Sequence, residues 1–204
     1  MRYQQGGHSQ SLVVFRQQRA RWTAKLARVR LSSRAPWEQE RRIVGMVASP
    51  GENLSIVLLK LDRPVQLSDF VRSVCLSGRR EEGSRCLGLG WDSQEGQLTL
   101  TPLTTASSSH CQPNTDLTSS VCMEELPGTE GCGGEMMAGH GLMCEVSPGS
   151  DQWTLLGVSA WRRGCGSVGQ RPRMYELVTA TADWVESVLA KDQQKTPLPR
   201  RRFG

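Results

Sequence analysis

At 204 residues with a net charge of +5, the chain is large enough for one domain or two small ones with a real hydrophobic core. Aromatic residues make up only 5% while glycine numbers 21, which favours strands and turns over long amphipathic helices. No apolar run approaches the roughly 20 residues that span a bilayer, and the opening MRYQQGGHSQ carries no apolar signal-peptide core.

In chain order, the first segment is basic: residues 1–42 hold ten Lys/Arg and two acids. Residues 1–21 are expected to form a partly disordered N-terminal segment. Short apolar runs then recur with turn signals between them: RWTAKLARVRL, RRIVGMVASP, SIVLLKLDRPV, RCLGLGW, GQLTLTPL, GLMCEV and QWTLLGVSAW. The dividers SPGE, SGRREEGS, LPGTEG, SPGSD and RRGCGSVGQRP are rich in glycine, serine and proline. Several short strands at this spacing predict an all-β sandwich or barrel. One helix is predicted, in TATADWVESVLAK, where Trp184, Val185, Val188 and Leu189 share a face and Thr179 or Thr181 suits the N-cap. The tail 191–204, with five Lys/Arg and one acid, is expected to be disordered. A basic head and tail suit a polyanion such as an acidic glycan, or simply form a solvated surface. No nucleic-acid motif is present.

The seven cysteines are Cys75, Cys86, Cys111, Cys122, Cys132, Cys144 and Cys165. None forms CxxC, and none has zinc-finger spacing with histidine, so no metal site or cofactor is expected. They read as disulfides of an oxidising, extracellular compartment, with one cysteine left over for another chain or as a free thiol.

Several segments resemble, in order, the trypsin/chymotrypsin-fold serine proteases. SIVLLKLDRPVQLSDFVRSVCLSG is similar to the family's DIALLKL…PV.L…V.PVCLP stretch, CLGLGW to its C..TGWG strand, and HCQPNTDLTSSVC to its short two-cysteine loop. LLGVSAWRRGCGSVGQRPRMYELV is similar to GIVSWG..C….PGVYTRV, and ADWVESVL to the closing DWI helix. WTAKLARVRLSS and EQERRIVGMVASP look like the strands before the aspartate segment. The resemblance spans roughly residues 22–190. It implies two antiparallel β-barrels, an N-terminal remnant over 22–83 and a C-terminal barrel over 84–178, closed by a helix over 179–190. It also implies bridges Cys86–Cys144, Cys111–Cys122 and Cys132–Cys165. Cys75 then stands for the cysteine that ties the protease domain to an upstream chain. About 40 residues of the family domain have no counterpart before this stretch. The first barrel is therefore expected to be incomplete, with an unpaired strand edge, and the C-terminal barrel to be the better-formed half.

The resemblance places the catalytic positions on residues that do not suit catalysis. A serine protease needs a nucleophile, a base, a buried acid that orients the base, and oxyanion donors. The acid position in D-I-A-L-L falls on Ser55, and removing that acid from a working triad costs about 10⁴-fold in turnover. The nucleophile of GDSGGPLVC lies six residues before a disulfide cysteine, and six before Cys144 is Ala138. Met136 stands for the oxyanion-loop glycine and Met137 for the aspartate that receives the freed N-terminus. The base corresponds at best to His8, in a polar segment without the family's adjacent cysteine. His110 and His140 have no catalytic role assigned. A rival alignment of Gly131-Cys132-Gly133-Gly134 with D-S-G-G makes Cys132 a thiol nucleophile. Cys132 lies twelve residues before Cys144, however, and is the apparent partner of Cys165.

The substrate pocket implied by the resemblance is bounded by Trp161, with Arg162 and Arg173 in place of its wall glycines and Glu130 near the acid of arginine- and lysine-specific members. Glu130 either pairs with Arg173 or Arg162 and plugs the pocket, or all three are exposed loop charges. Asn53-Leu54-Ser55 is an N-glycosylation sequon at Asn53. Arg202-Phe203-Gly204 resembles an amidation signal, with no other peptide-hormone feature beside it. The expected function is a secreted, non-catalytic serine protease homologue that binds a protein partner. The alternatives are a serine- or cysteine-type endopeptidase, or a product without independent function.

Overall fold

The computed structural model describes residues 22–50, 56–76, 80–91, 96–107, 111, 118–126, 139–159 and 172–195. Among the described residues, nine strands precede one α-helix. The first three are β1 (Thr23–Leu26), β2 (Gln39–Ala48) and β3 (Val57–Leu61). The next six are β4 (Cys86–Trp91), β5 (Leu98–Thr105), β6 (Ser120–Glu125), β7 (Gly141–Glu145), β8 (Trp153–Ser159) and β9 (Arg173–Leu177). A 3-10 turn over Val178–Thr181 leads into α1 (Ala182–Lys195).

The strands sort into two antiparallel units, as the resemblance implies. The first is a three-stranded sheet in the order β1-β2-β3, and the second is a closed barrel in the order β4-β5-β6-β9-β8-β7. Closure removes strand edges from the barrel, whereas among the described residues the sheet has two. Period-2 alternation explains each unit's packing. In the barrel, Cys86, Leu103, Met123, Leu142, Cys144, Leu156 and Tyr175 converge on one buried core. In the sheet, Met46 opposes Leu59 and Ala48 opposes Val57, so these side chains share a face. Val57 and Leu59 remain 45% exposed there, because no further described strand covers them. Among the described residues the N-terminal half is thus a partial, three-stranded sheet.

Backbone pairing joins the two units. Leu31 N–H donates to the Gly96 carbonyl at 2.7 Å and Leu98 N–H to the Val29 carbonyl at 2.8 Å, on either side of an Arg30–Gln97 bridge. Further on, the Cys75 carbonyl accepts from Leu155 N–H at 2.9 Å and from the Thr154 hydroxyl at 3.0 Å. Helix α1 runs to Lys195, beyond the expected boundary at 190 and into the expected disordered tail. In its last turns Asp192 accepts from Lys60 Nζ at 2.5 Å, which ties the helix to β3. Thr181, considered as an N-cap, instead sits in the 3-10 turn and donates its hydroxyl to the Val178 carbonyl at 2.9 Å.

Candidate functional site

Two disulfides establish the frame for the site. Cys86 pairs with Cys144 across neighbouring strands β4 and β7, and Cys111 pairs with Cys122 over a separation of 11 residues. Both match the pairings that the resemblance implies, and both fit an oxidising compartment. Cys75 is an exposed free thiol. Cys132 and Cys165 lie outside the described residues.

The Cys86–Cys144 bridge anchors the segment that begins just after Ala138. Gly139 has φ 92°, a left-handed conformation that suits a residue without Cβ. Its N–H donates to the Ser159 carbonyl at 3.0 Å, and His140 N–H donates to the Ser159 hydroxyl at 2.9 Å. Ser159 N–H returns a bond to the His140 carbonyl at 2.7 Å. Strand β7, entered from Ala138, is thus locked to the end of β8, which leads toward Trp161 and Arg162.

Inside the barrel mouth lies a polar cluster around Arg173. Across the β6–β9 pair, Met123 opposes Arg173, and two residues further along β6 Glu125 falls on the same face. The Arg173 guanidinium meets the Glu125 carboxylate there, with the two side chains 12% and 9% exposed. Arg173 Nε–H is buried without an acceptor. Tyr175, next on that face of β9, is also hydrogen-bonded to Arg173, and burial pushes its phenol above the usual tyrosine range. His140 is held below the ordinary imidazole value, first by burial and then by the charge of Arg173.

Space for this cluster comes from β4. A Cβ on Gly88 would lie 2.8 Å from the Tyr175 hydroxyl oxygen, and one on Gly90 would lie 3.0 Å from His140 Nδ1. The two glycines of CLGLGW sit on one face at period two, where a side chain would displace the phenol or the imidazole.

Arg173, one of the implied pocket walls, is therefore not an exposed loop charge; it points inward, and the acid it meets is Glu125. Sequence reasoning missed Glu125, His140 and Tyr175 as parts of this site. The available signal was the pair of period-two glycines facing a strand that carries both arginine and tyrosine. His8, Asn53, Ser55, Glu130, Met136, Met137, Ala138, Trp161 and Arg162 lie outside the described residues. Among the described residues no His, Cys, Asp or Glu cluster has the makings of a metal site, and no helix is long and apolar enough to cross a membrane.

A closed antiparallel barrel beside a second sheet, a C-terminal helix and cysteines in this register define a chymotrypsin-type architecture, and comparison with known proteins agrees. The Trypsin family model matches residues 14–185. The chain belongs to the trypsin family of serine proteases. It is 33% identical to Transmembrane protease serine 9 of Rattus norvegicus over 80% of this chain and 16% of that protein. It is 31% identical to Transmembrane protease serine 5 of Homo sapiens, over 69% of this chain and 33% of the relative. Ovochymase of Halocynthia roretzi is 33% identical over 65% of this chain and 9% of its own length. The chain therefore spans a third or less of each of these relatives.

Proposed function

We propose that this chain is a non-catalytic member of its family, an extracellular module that binds a protein and does not cleave it. The observation that carries this reading is the alanine at position 138. Cys144 is bridged to Cys86, which supports the register in which the sixth residue before it is the nucleophile position. A methyl group has no lone pair with which to attack a carbonyl, and Ser55 carries no charge to stabilise an imidazolium. The pocket chemistry agrees. With the guanidinium of Arg173 turned inward onto Glu125, one wall position of the implied pocket carries the protein's own buried ion pair.

Binding surfaces then come from loops on the barrel, where family members carry their specificity. Cys75, exposed and reduced, suits a disulfide to an upstream segment or a separate chain. The basic residues of the N-terminal half suit an acidic glycan as a further ligand. Family membership favours a second reading, a serine-type endopeptidase, or a thiol variant acting through Cys132.

The test exposes the folded chain to a fluorophosphonate probe, to iodoacetamide and to a mixed peptide substrate library. The expected result is no fluorophosphonate adduct and no cleavage, with iodoacetamide labelling Cys75. Folding-dependent fluorophosphonate labelling, or peptide cleavage abolished by C132S, would overturn the proposal.

A further inference from the structure

The seam between β4 and β7 is paired over only part of its length. Its register runs Cys86–Cys144, Leu87–Met143 and Gly88–Leu142 and stops there, although β4 continues to Trp91. Beyond that point Gly90 faces the His140 imidazole: a Cβ on Gly90 would lie 3.0 Å from Nδ1 and 3.1 Å from Cε1. A side chain packed on a glycine here takes the place of backbone pairing. On the other side this stretch is tied to β8, through the Gly139 and His140 amides on Ser159 and the Ser159 amide on the His140 carbonyl.

Few polar groups of the described residues face the imidazole. β4 offers only Gly88 and Gly90, and the Thr99 hydroxyl of β5 is donated to the Gly90 carbonyl at 3.1 Å. β8 offers the Ser159 hydroxyl, which accepts from the His140 amide. β9 offers Arg173 and Tyr175, and β6 offers Glu125. An Arg173 guanidinium nitrogen lies 3.7 Å from the Cβ position of Gly88. It therefore sits two residues, roughly 7 Å, along the same face of β4 from the imidazole. Glu125 is already bonded to Arg173. A protonated His140 thus meets a cation and, among these groups, no free carboxylate. Burial first and the charge of Arg173 second keep the imidazole neutral below its ordinary range.

We propose that neutral His140 pins the unpaired length of the β4–β7 seam and that its protonation releases the pin, so that acid opens the barrel wall locally at residues 139–141. The length from Leu142 to Cys144 stays closed, because it is paired with β4 and bridged to Cys86. The direction follows from linkage. The closed seam resists the proton, whereas the opened one takes it up at the ordinary value of 6.5. The seam is therefore tightest above about pH 6.5 and opens progressively below it. The wall that opens follows Ala138 directly in sequence, so a surface presented there differs between a neutral and an acidic compartment. This device is independent of whether the chain cleaves peptides.

The test is amide hydrogen exchange of the folded chain, followed by NMR from about pH 7.5 to about pH 5 and corrected for intrinsic exchange rates. Opening at the Gly139, His140 and Ser159 amides is expected to rise below about pH 6.5. Its ceiling at pH 5 is about 30-fold, for an imidazole that stays neutral while the seam is closed. The Leu142 and Cys144 amides should change less than about twofold. H140Q, neutral at every pH, should lose the response, and R173M/E125L, which removes the neighbouring cation, should weaken it. The His140 Cε1 proton, assigned through its own backbone, should titrate below 6.5 in the wild type and higher in R173M/E125L. Exchange at the three amides that ignores pH, that responds equally in H140Q, or that rises in step with Leu142 and Cys144 would each overturn the proposal. So would a wild-type His140 that titrates at or above 6.5, a result that needs no variant to fold.

Discussion

Removing the guanidinium of Arg173 tests how the barrel mouth is held. Arg173 and Glu125 come from adjacent strands, and their side chains are 12% and 9% exposed. In R173A the Glu125 carboxylate stays in the barrel without its cation. Breaking a buried pair from one side costs about 3–5 kcal/mol, most of it the uncompensated charge. At about 2–4 °C per kcal/mol for a domain of this size, melting should fall by roughly 6–20 °C. R173M/E125L, which removes both charges and keeps the volume, should recover most of that loss. Thermal melts at neutral pH of wild type, both single variants and the double variant give the coupling energy directly. A double variant no more stable than either single one, or single losses below about 1 kcal/mol that simply add, would refute the buried pair as the element that closes the mouth.

Three further outcomes follow from the same geometry. His140 is held below its ordinary pKa in the fold, so the unfolded chain takes up its proton first as pH falls. Its contribution is therefore complete above about pH 6.5 and declines below it; H140Q should flatten that part of the stability–pH curve measured by urea unfolding. The Cys86–Cys144 bridge closes a separation of 58 residues and Cys111–Cys122 one of 11. The loop-entropy relation then gives losses of about 4 and about 3 kcal/mol for the paired serine variants, a ranking that denaturant melts will check. Ala27 is a non-glycine residue at φ 60°, where an L side chain costs about 1 kcal/mol; A27G should raise the unfolding midpoint.

How much was legible beforehand varied with the range of the interaction. The strands were readable because alternation and turn residues are local. β4 falls within RCLGLGW and β8 within QWTLLGVSAW. The helix was legible for the same reason, but its end was not. Residues 191–195 read as tail because the polar run DQQK has no apolar face, and the Lys60–Asp192 contact that ties this turn to β3 spans 132 residues of sequence. In the sequence Glu130 is either a partner of Arg173 or Arg162 or an exposed loop charge, and it lies outside the described residues. The carboxylate that meets Arg173 is Glu125, chosen by the β6–β9 register.

The order of residues alone was enough to decide membership of the family, because that rests on side-chain identity and the spacing of motifs and cysteines along the chain. Only the tertiary structure decided that Arg173 turns inward onto Glu125 and that His140 is sheltered beside it. Those outcomes depend on which strand faces are brought together across the barrel and which are left bare. That is set by register and closure between segments far apart in the chain.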